Sequence, residues 1–354
     1  MVLYVLLGIV LLGVLIMVHE FGHFIAARLT GIEVKEFSIG FGPKLWQRKS
    51  KKHDTVFSLR PIPLGGYCMF YGDTDDDPDG TKSADDPRAY ATQPVWKRLL
   101  TIFCGPLMNF VLAFVVTLGL LLSYTACDPT PYISSVESAM PAEAAGLKAG
   151  DYFVSIGDTT FTDKSTVSEV SEAINALGTD DAVPVVVRRG GEQLTLNVRP
   201  MYDTALARYR LGVSLSQRLR VAPDQVLPAT FRTLGNASVA VLKGLKAVFT
   251  TSQGFNQAAG PIGTVQLVAE STQQGGADTF FNLMILISVN LGLFNLIPIP
   301  GLDGARLIFL LIEAIRRKPV SQKIEAGVHL SGYVLLLGLM VVLLFKDVGR
   351  IFGL

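Results

Sequence analysis

Charge is scarce in this chain of 354 residues: 17% are charged, whereas 49% are hydrophobic. This balance is more apolar than that of an ordinary soluble protein and predicts membrane-spanning segments. The net charge of +1 gives no support for nucleic acid or a strongly acidic partner. Cysteine is also rare. Three residues without C-x-x-C spacing argue against a disulfide framework and against a cysteine-based metal site.

Uncharged apolar runs occur four times, roughly at Val2–Ala27, Leu99–Tyr124, Phe280–Ile299 and Leu330–Phe345. Each is about long enough to cross a bilayer as a helix, although the last is short. Lys and Arg concentrate in the connections after the first and third runs. The positive-inside rule therefore predicts that both connections are cytoplasmic and that both termini are extracytoplasmic.

Histidine is scarce as well, yet two of the four lie in the motif His19-Glu20-Phe21-Gly22-His23 at the end of the first run. On a helix both imidazoles lie on one face, a turn apart, where they can reach one zinc ion. Glu20 can then act as general base toward a water molecule. The alternative is a chance match in a core helix whose imidazoles bond to the backbone. Because these polar groups are costly in hydrocarbon, we favour a zinc hydrolase with its active site inside the bilayer.

A catalytic zinc usually has three protein ligands, so a third must be found. His53 lies in a basic run typical of a loop, and His329 opens the last apolar run, where a helix-end role is expected. Asp303 is better placed, because it follows the third run on a backbone broken by two prolines and two glycines. Its alternative role is an N-cap for a predicted helix at Ala305–Arg317. Together with the histidine motif, metal ligation is the favoured interpretation.

The histidine motif, taken with the segment from Asn295 to Gly304 (NLIPIPGLDG), resembles the site-2 protease family of intramembrane zinc proteases (peptidase family M50). Within that family the chain is most similar to bacterial regulator-of-sigma-E-type proteases with one PDZ domain. Further matches follow in order at Gly40–Pro43, Pro63–Tyr67, Gly105–Asn109 and Gly260–Gly263. The resemblance implies one zinc ion per chain, held by His19, His23 and Asp303, with Glu20 as the catalytic base.

The resemblance also implies how substrate is held. Asn295 is expected to contact substrate, although a helix–helix hydrogen bond is an alternative. The stretch Ile32–Tyr71 resembles the membrane-associated β-loop of the family, whose edge can pair with an unwound substrate strand. Within it, Gly65 and Gly66 are the predicted substrate-binding positions. The implied substrates are single-pass proteins of the bacterial cytoplasmic membrane, such as anchored regulators or remnant signal peptides.

Residues 131–200 predict a small α+β domain outside the membrane, in which Pro141–Asp151 resembles part of a bacterial PDZ domain. Such a domain can bind a peptide as an added strand, or it can exclude bulky substrates, and both roles remain open. The predicted elements are strands at Tyr132–Val136, Tyr152–Ile156, Val183–Arg188 and Gln193–Val198 and a helix at Ser165–Leu177. A helix at Val226–Thr250 is expected to lie in the membrane interface or to pack on the outer domain.

The predicted fold is thus a polytopic α-helical membrane protein with about four transmembrane helices, a membrane-associated β-loop and an extracytoplasmic α+β PDZ-like domain. Two other functions stay open: a membrane metal transporter, although no internal repeat is apparent, and a PDZ-based binding or chaperone protein with a structural metal site. The segments are transmembrane helices at 1–27, 99–124, 280–303 and 330–346, the β-loop and linker at 28–98, the PDZ-like domain at 131–200, an outer linker at 201–279 and a cytoplasmic helix and loop at 304–329.

Overall fold

The computed structural model describes residues 1–73, 86–178, 181–204, 208–218, 220–251 and 259–352. An acidic run at 73–86, predicted to be a solvated loop, lies outside the described residues except for its two ends. The chain forms two compact units. The first contains Met1–Thr117, Phe231–Glu270 and Phe281–Leu354, and the second contains Leu118–Thr230 and Ser271–Phe280.

Four long apolar helices confirm the predicted multi-pass architecture. They are α1 (Val2–Thr30), α2 (Val95–Tyr124), α6 (Pro261–Leu296) and α8 (Gln322–Phe352). Each contains a stretch long and apolar enough to cross a bilayer. A helix satisfies its own backbone hydrogen bonds, which is what the hydrocarbon of a membrane requires.

Helix α6 begins earlier than the third apolar run and is interrupted. Its backbone leaves the helical region at Gly276 (φ 67°, ψ −157°), a conformation that favours glycine. The predicted start at residue 280 therefore applies only to the part that follows this break. At the N-terminus of α6, the Asp347 carboxylate of α8 accepts hydrogen bonds from the backbone amides of Gly260 (3.2 Å) and Gly263 (2.8 Å).

A four-stranded sheet follows α1, at the position predicted for the β-loop. Its strands are β1 (Val34–Phe41), β2 (Trp46–Lys49), β3 (Val56–Leu59) and β4 (Ile62–Phe70), in the order β2-β3-β1-β4. Strand β4 pairs antiparallel with β1 and lies at the edge of the sheet. It also packs along α1, which brings its backbone close to the histidine motif. A buried apolar cluster joins the sheet to the helices: Ala27, Ile32, Val34, Phe70, Tyr90, Ile102 and Leu310.

The second unit contains a mixed α+β domain. Its main sheet has the order β12-β5-β6-β8-β9, with β7 paired to β6. The strands are β5 (Tyr132–Val136), β6 (Tyr152–Ile156), β7 (Thr159–Thr160), β8 (Val183–Arg189), β9 (Glu192–Val198) and β12 (Val213–Ser216), and the helices are α3 (Pro141–Ala144) and α4 (Val167–Asn175). Helix α4 starts at a capping box in which Thr166 and Glu169 bond to each other's backbone amide.

This sheet continues past residue 200, so the predicted domain end and the start of the 201–279 linker are too early. Strand β12 pairs antiparallel with β5, and a hairpin of β10 (Met201–Asp203) and β11 (Arg208–Arg210) precedes it. The four residues of β12 alternate Val-Ser-Leu-Ser, which is too short a pattern to predict a strand. Pairing with β5 stabilises it instead.

Helix α5 (Val226–Thr250) has the bounds predicted for the amphipathic helix. From Phe231 onward it belongs to the unit that holds α1, and the Phe231 ring lies 5.4 Å from that of Phe114 on α2. This part of α5 therefore packs against α2 within its own unit. Helix α6 ends just before Pro298 and Pro300, and the chain then enters helix α7 (Asp303–Arg316).

Candidate metal centre

Three potential metal ligands converge in the first unit. The Nε2 atoms of His19 and His23 lie 3.3 Å apart, one helical turn from each other on α1. The Asp303 Oδ2 atom lies 3.0 Å from His19 Nε2 and 3.3 Å from His23 Nε2. The three ligand atoms lie within 4.8 Å of one another, and both histidines are buried. The structure thus brings together the three residues that the sequence predicted as ligands.

The donor set fits a zinc ion. Asp303 Oδ2 is buried and has no hydrogen-bond partner among the described residues, although two imidazole nitrogens lie beside it. Three potential ligand atoms this close together, one of them a buried carboxylate oxygen without a hydrogen-bond partner in the described part of the chain, are arranged as in a metal site. Two imidazole nitrogens and one carboxylate oxygen are a donor set that suits zinc and leaves a fourth position for a reactant.

Asp303 does not act as a helix cap. It is the first residue of α7, the N-cap position belongs to Leu302, and no side chain there forms a capping hydrogen bond. The alternative interpretation of Asp303 as an N-cap is therefore wrong. Its carboxylate points instead toward the two imidazoles of α1.

Helix α2 contacts both imidazoles at their Nδ1 atoms. The Nδ1 atom of His23 lies 2.9 Å from the backbone oxygen of Thr101, and the Nδ1 atom of His19 lies 3.2 Å from Nδ2 of Asn109. Contacts of this kind hold the ring of a metal-ligating histidine and select which nitrogen carries the proton. In the sequence, Asn109 is notable only as the last residue of the Gly105–Asn109 motif. Thr101 contributes its backbone oxygen, so the type of its side chain could not have indicated this contact.

Glu20 and the β4 edge share a cavity of about 350 Å³ with the ligands. A Cβ atom on Gly66 would lie 3.4 Å from Cγ of Glu20 and 2.8 Å from the backbone oxygen of Ser38. At Gly65, a Cβ would overlap the Phe41 ring. Both glycines therefore allow a close approach, and Gly66 lies directly beside Glu20. The lining residues are His19, Glu20, His23, Tyr67, Cys68, Met69, Phe70, Asp73, Ile102, Gly301, Leu302, Asp303, Arg306 and Tyr333.

One ion pair lines this cavity, and a second contacts Tyr67, which is also a lining residue. Arg306 Nη2 lies 3.1 Å from Asp73 Oδ2. Burial lowers the pKa of Arg306, but the Asp73 carboxylate raises it above its ordinary value, so the guanidinium stays charged. On the sheet, Arg60 donates to Tyr67 (2.6 Å) and to Glu36 (3.0 Å). The cavity wall formed by β4 is thereby tied to β1.

The other candidates lie elsewhere. Asn295 is in the last turn of α6, is half-buried and is not among the described residues that line the cavity. His53 is exposed in the connection between β2 and β3. His329 is buried within α8, and its Nδ1 accepts a hydrogen bond from the backbone amide of Gly301 (3.2 Å). It therefore supports the turn that precedes Asp303, rather than lying at a helix end.

Comparison with known proteins places this geometry in a family. The model of peptidase family M50 matches residues 7–339. The chain belongs to peptidase family M50. Two relatives, each named "Putative zinc metalloprotease", come from Nostoc sp. (35% identity, over 97% of this chain and 95% of that protein) and Synechocystis sp. (36%, over 98% and 94%). The "Membrane metalloprotease ARASP, chloroplastic" of Arabidopsis thaliana is 34% identical over 97% of this chain and 78% of that protein.

Part of the chain also matches a solved structure. The crystal structure of the PDZ domain of the SdrC-like protein from Listeria monocytogenes is 22% identical and covers 25% of this chain and 90% of that one, with a TM-score of 0.22. The family and its relatives identify this M50 protein as a multi-pass zinc metalloprotease of the site-2 type.

Proposed function

We propose that this M50 protein is an intramembrane endopeptidase that cleaves the transmembrane segments of single-pass membrane proteins. The observation that carries the proposal is the convergence of His19, His23 and Asp303 with Glu20 in one cavity, within a unit built from apolar helices. Ionisable groups inside membrane helices are costly and usually functional. One zinc ion per chain would be held by the two imidazoles and the carboxylate.

Peptide hydrolysis at this site needs an activated water and a proton donor for the leaving amine. A zinc ion held by these ligands would polarise the peptide carbonyl and lower the pKa of a water molecule. Glu20 lines the same cavity and is not one of the three proposed ligands, so its carboxylate would take the proton from water. It then returns the proton to the leaving nitrogen, as a general base that becomes a general acid.

Substrate would bind as an extended strand along β4. This strand pairs with β1 on one side, and Tyr67, Cys68, Met69 and Phe70 of its sequence line the cavity. An unwound segment that pairs with the β4 edge would pass in front of Glu20, because Gly66 lies beside that residue. Gly65 and Gly66 are the proposed substrate-binding positions on this strand. Asn295 remains a predicted substrate contact, although it is not among the described residues that line the cavity.

The distribution of Lys and Arg suggests the orientation in the membrane. A cytoplasmic connection after α1 and another after α6 would put His23 and Asp303 at the same membrane face, where they must be to share a metal. We propose a bacterial cytoplasmic membrane, with both termini and the PDZ-like domain extracytoplasmic. In that position the domain would bind a peptide end or exclude substrates with bulky outer domains.

The replacement Glu20→Gln tests this function. We expect cleavage of a single-span substrate in proteoliposomes to fall about 10²–10⁴-fold, because the general base is lost, whereas zinc content should stay at one per chain. Glu192→Gln is the matched control, since Glu192 is exposed on β9. Substantial cleavage by the Glu20 variant would remove that residue from its role. Zinc flux without cleavage by the wild-type protein would favour the transporter instead.

A further inference from the structure

Asn109 is a buried amide in the middle of an apolar helix. Its side chain is completely inaccessible to solvent, and its Nδ2 lies 3.2 Å from Nδ1 of His19. Its Oδ1 has no hydrogen-bond partner among the described residues. A buried amide with one end unpaired costs free energy, so a role beyond packing is expected.

Helix α6 holds the backbone of Asn109 in place. The Ser288 hydroxyl of α6 donates a hydrogen bond to the backbone oxygen of Asn109 (2.8 Å). One turn further along α6, a Cβ on Gly292 would lie 2.9 Å from the Phe110 ring and 3.2 Å from the backbone oxygen of Pro106. Helix α6 therefore packs closely against this turn of α2 and leaves the Asn109 side chain little freedom to move away from His19.

The two histidines differ in the partner that faces Nδ1. His23 faces the Thr101 carbonyl, which can only accept a hydrogen bond. This contact keeps the proton on Nδ1 and leaves Nε2 free to ligate. His19 faces an amide, and a half-turn of that amide exchanges a nitrogen donor for an oxygen acceptor. Asn109 can therefore pair with either tautomer of His19.

Metal ligation requires one of these two arrangements. A histidine that ligates through Nε2 carries its proton on Nδ1 and needs an acceptor there. Asn109 then presents Oδ1 to His19, which also gives its unpaired oxygen a partner. In the other arrangement, the amide Nδ2 donates to Nδ1 of His19, and the imidazole proton on Nε2 faces Asp303 at 3.0 Å.

We propose that Asn109 is a positioning residue that accepts a hydrogen bond from Nδ1–H of His19 when that histidine ligates through Nε2, and that it thereby raises the metal affinity of the centre. The inference rests on the proposed function only in taking His19 as a ligand. It does not depend on which peptide is cleaved, nor on whether any peptide is cleaved. A purely structural role, as a hydrogen bond between helices, would change stability and leave metal affinity as it was.

The test measures zinc affinity in the full-length protein purified in detergent, by competition with a chelator. For Asn109→Leu we expect affinity about 10–100-fold weaker than wild type, the usual cost of losing such a partner. Asn109→Asp offers only acceptors and should bind zinc within a few-fold of wild type. Ser288→Ala is the matched control, because it removes a hydrogen bond at the same helix crossing without touching His19.

A second readout follows the hydrogen bond itself. In protein labelled with ¹⁵N-histidine and loaded with zinc, Nδ1 carries the proton in every variant, and in the wild type the Nδ1–H proton of both ligand histidines should show the downfield chemical shift of a hydrogen-bonded proton. Loss of that signature at His19 in Asn109→Leu, with His23 unchanged, would support the proposal. Wild-type zinc affinity in Asn109→Leu, or an equal loss of affinity in Ser288→Ala, would overturn it. Since neither measurement uses a substrate, failure of the proteolytic function would be recognised separately.

Discussion

Gly105 is the position where a single methyl group should damage the metal centre most selectively. It lies on α2 behind His23, and a Cβ there would overlap the imidazole, approaching Cδ2 to 2.8 Å and coming still closer to Nε2 and Cε1. The imidazole ring of His23 cannot easily move away from this Cβ. Its Nδ1 is held by the Thr101 oxygen at 2.9 Å, and the Phe70 ring packs edge-on against it at 6.5 Å.

The two consequences of Gly105→Ala differ in size. Replacing glycine by alanine inside a helix gains about 1 kcal/mol, while forcing a methyl group into a packed site costs about 1–3 kcal/mol. The net loss of stability is therefore small, between about 0 and 2 kcal/mol. The overlap, however, falls on a ligand atom, so zinc affinity should drop by at least about 10-fold and cleavage should fall with it.

Gly119→Ala is the matched control on the same helix. No atom lies within 4 Å of a Cβ at Gly119, so this variant should keep full zinc affinity and be as stable as wild type or slightly more stable. The assays are thermal unfolding in detergent, chelator competition and cleavage of a reconstituted substrate. If Gly105→Ala bound zinc as tightly as Gly119→Ala, the proposed seating of His23 against α2 would be refuted.

Two further variants probe the elements that surround the centre. Asp303→Ala should lose both zinc and cleavage, because two imidazoles alone bind the metal more weakly than three ligands; full zinc occupancy by metal analysis would mean that another residue is the third ligand. Asp347→Asn should weaken the anchor of α6, because one amide oxygen replaces two carboxylate oxygens that accept from Gly260 and Gly263. We expect a loss of about 1–3 kcal/mol, visible as faster hydrogen exchange at Gly263, and unchanged exchange there would contradict the anchor.

The convergence of His19, His23 and Asp303 could be predicted from the sequence because its signals are local. His19, Glu20 and His23 lie in five consecutive residues, and helical periodicity alone puts both imidazoles on one face. Asp303 stands out because a carboxylate at the end of an apolar run is costly to place near hydrocarbon unless it has a functional partner. Each of these residues differs sharply from its neighbours in polarity, so no knowledge of tertiary contacts was needed.

The partners behind the ligands could not be predicted in the same way. Thr101 contributes a carbonyl oxygen that every residue has, and the contact exists only because α2 lies against α1 at that point. Asn109 has a distinctive side chain, but its sequence separation from His19 hides the pairing. The sequence does not predict the β12 strand for a similar reason, since its partner β5 lies far away in sequence. Such contacts depend on packing geometry that a local pattern does not encode.

Asp303 is followed by Gly304, and this glycine is what allows the aspartate to reach the two histidines. The chain must leave α6 and begin α7 almost at once, and a Cβ at Gly304 would collide with the backbone oxygens of Ile297 and Leu296. Only glycine allows α7 to start this close behind α6. Asp303 is then the first residue of α7, where the positive end of the helix dipole favours an anion by about 0.3–1 kcal/mol. A carboxylate at this position is stabilised by its own helix, and it brings to a dication the negative charge that two neutral imidazoles cannot supply. The helix start on which Asp303 lies therefore suits an aspartate as the proposed third ligand.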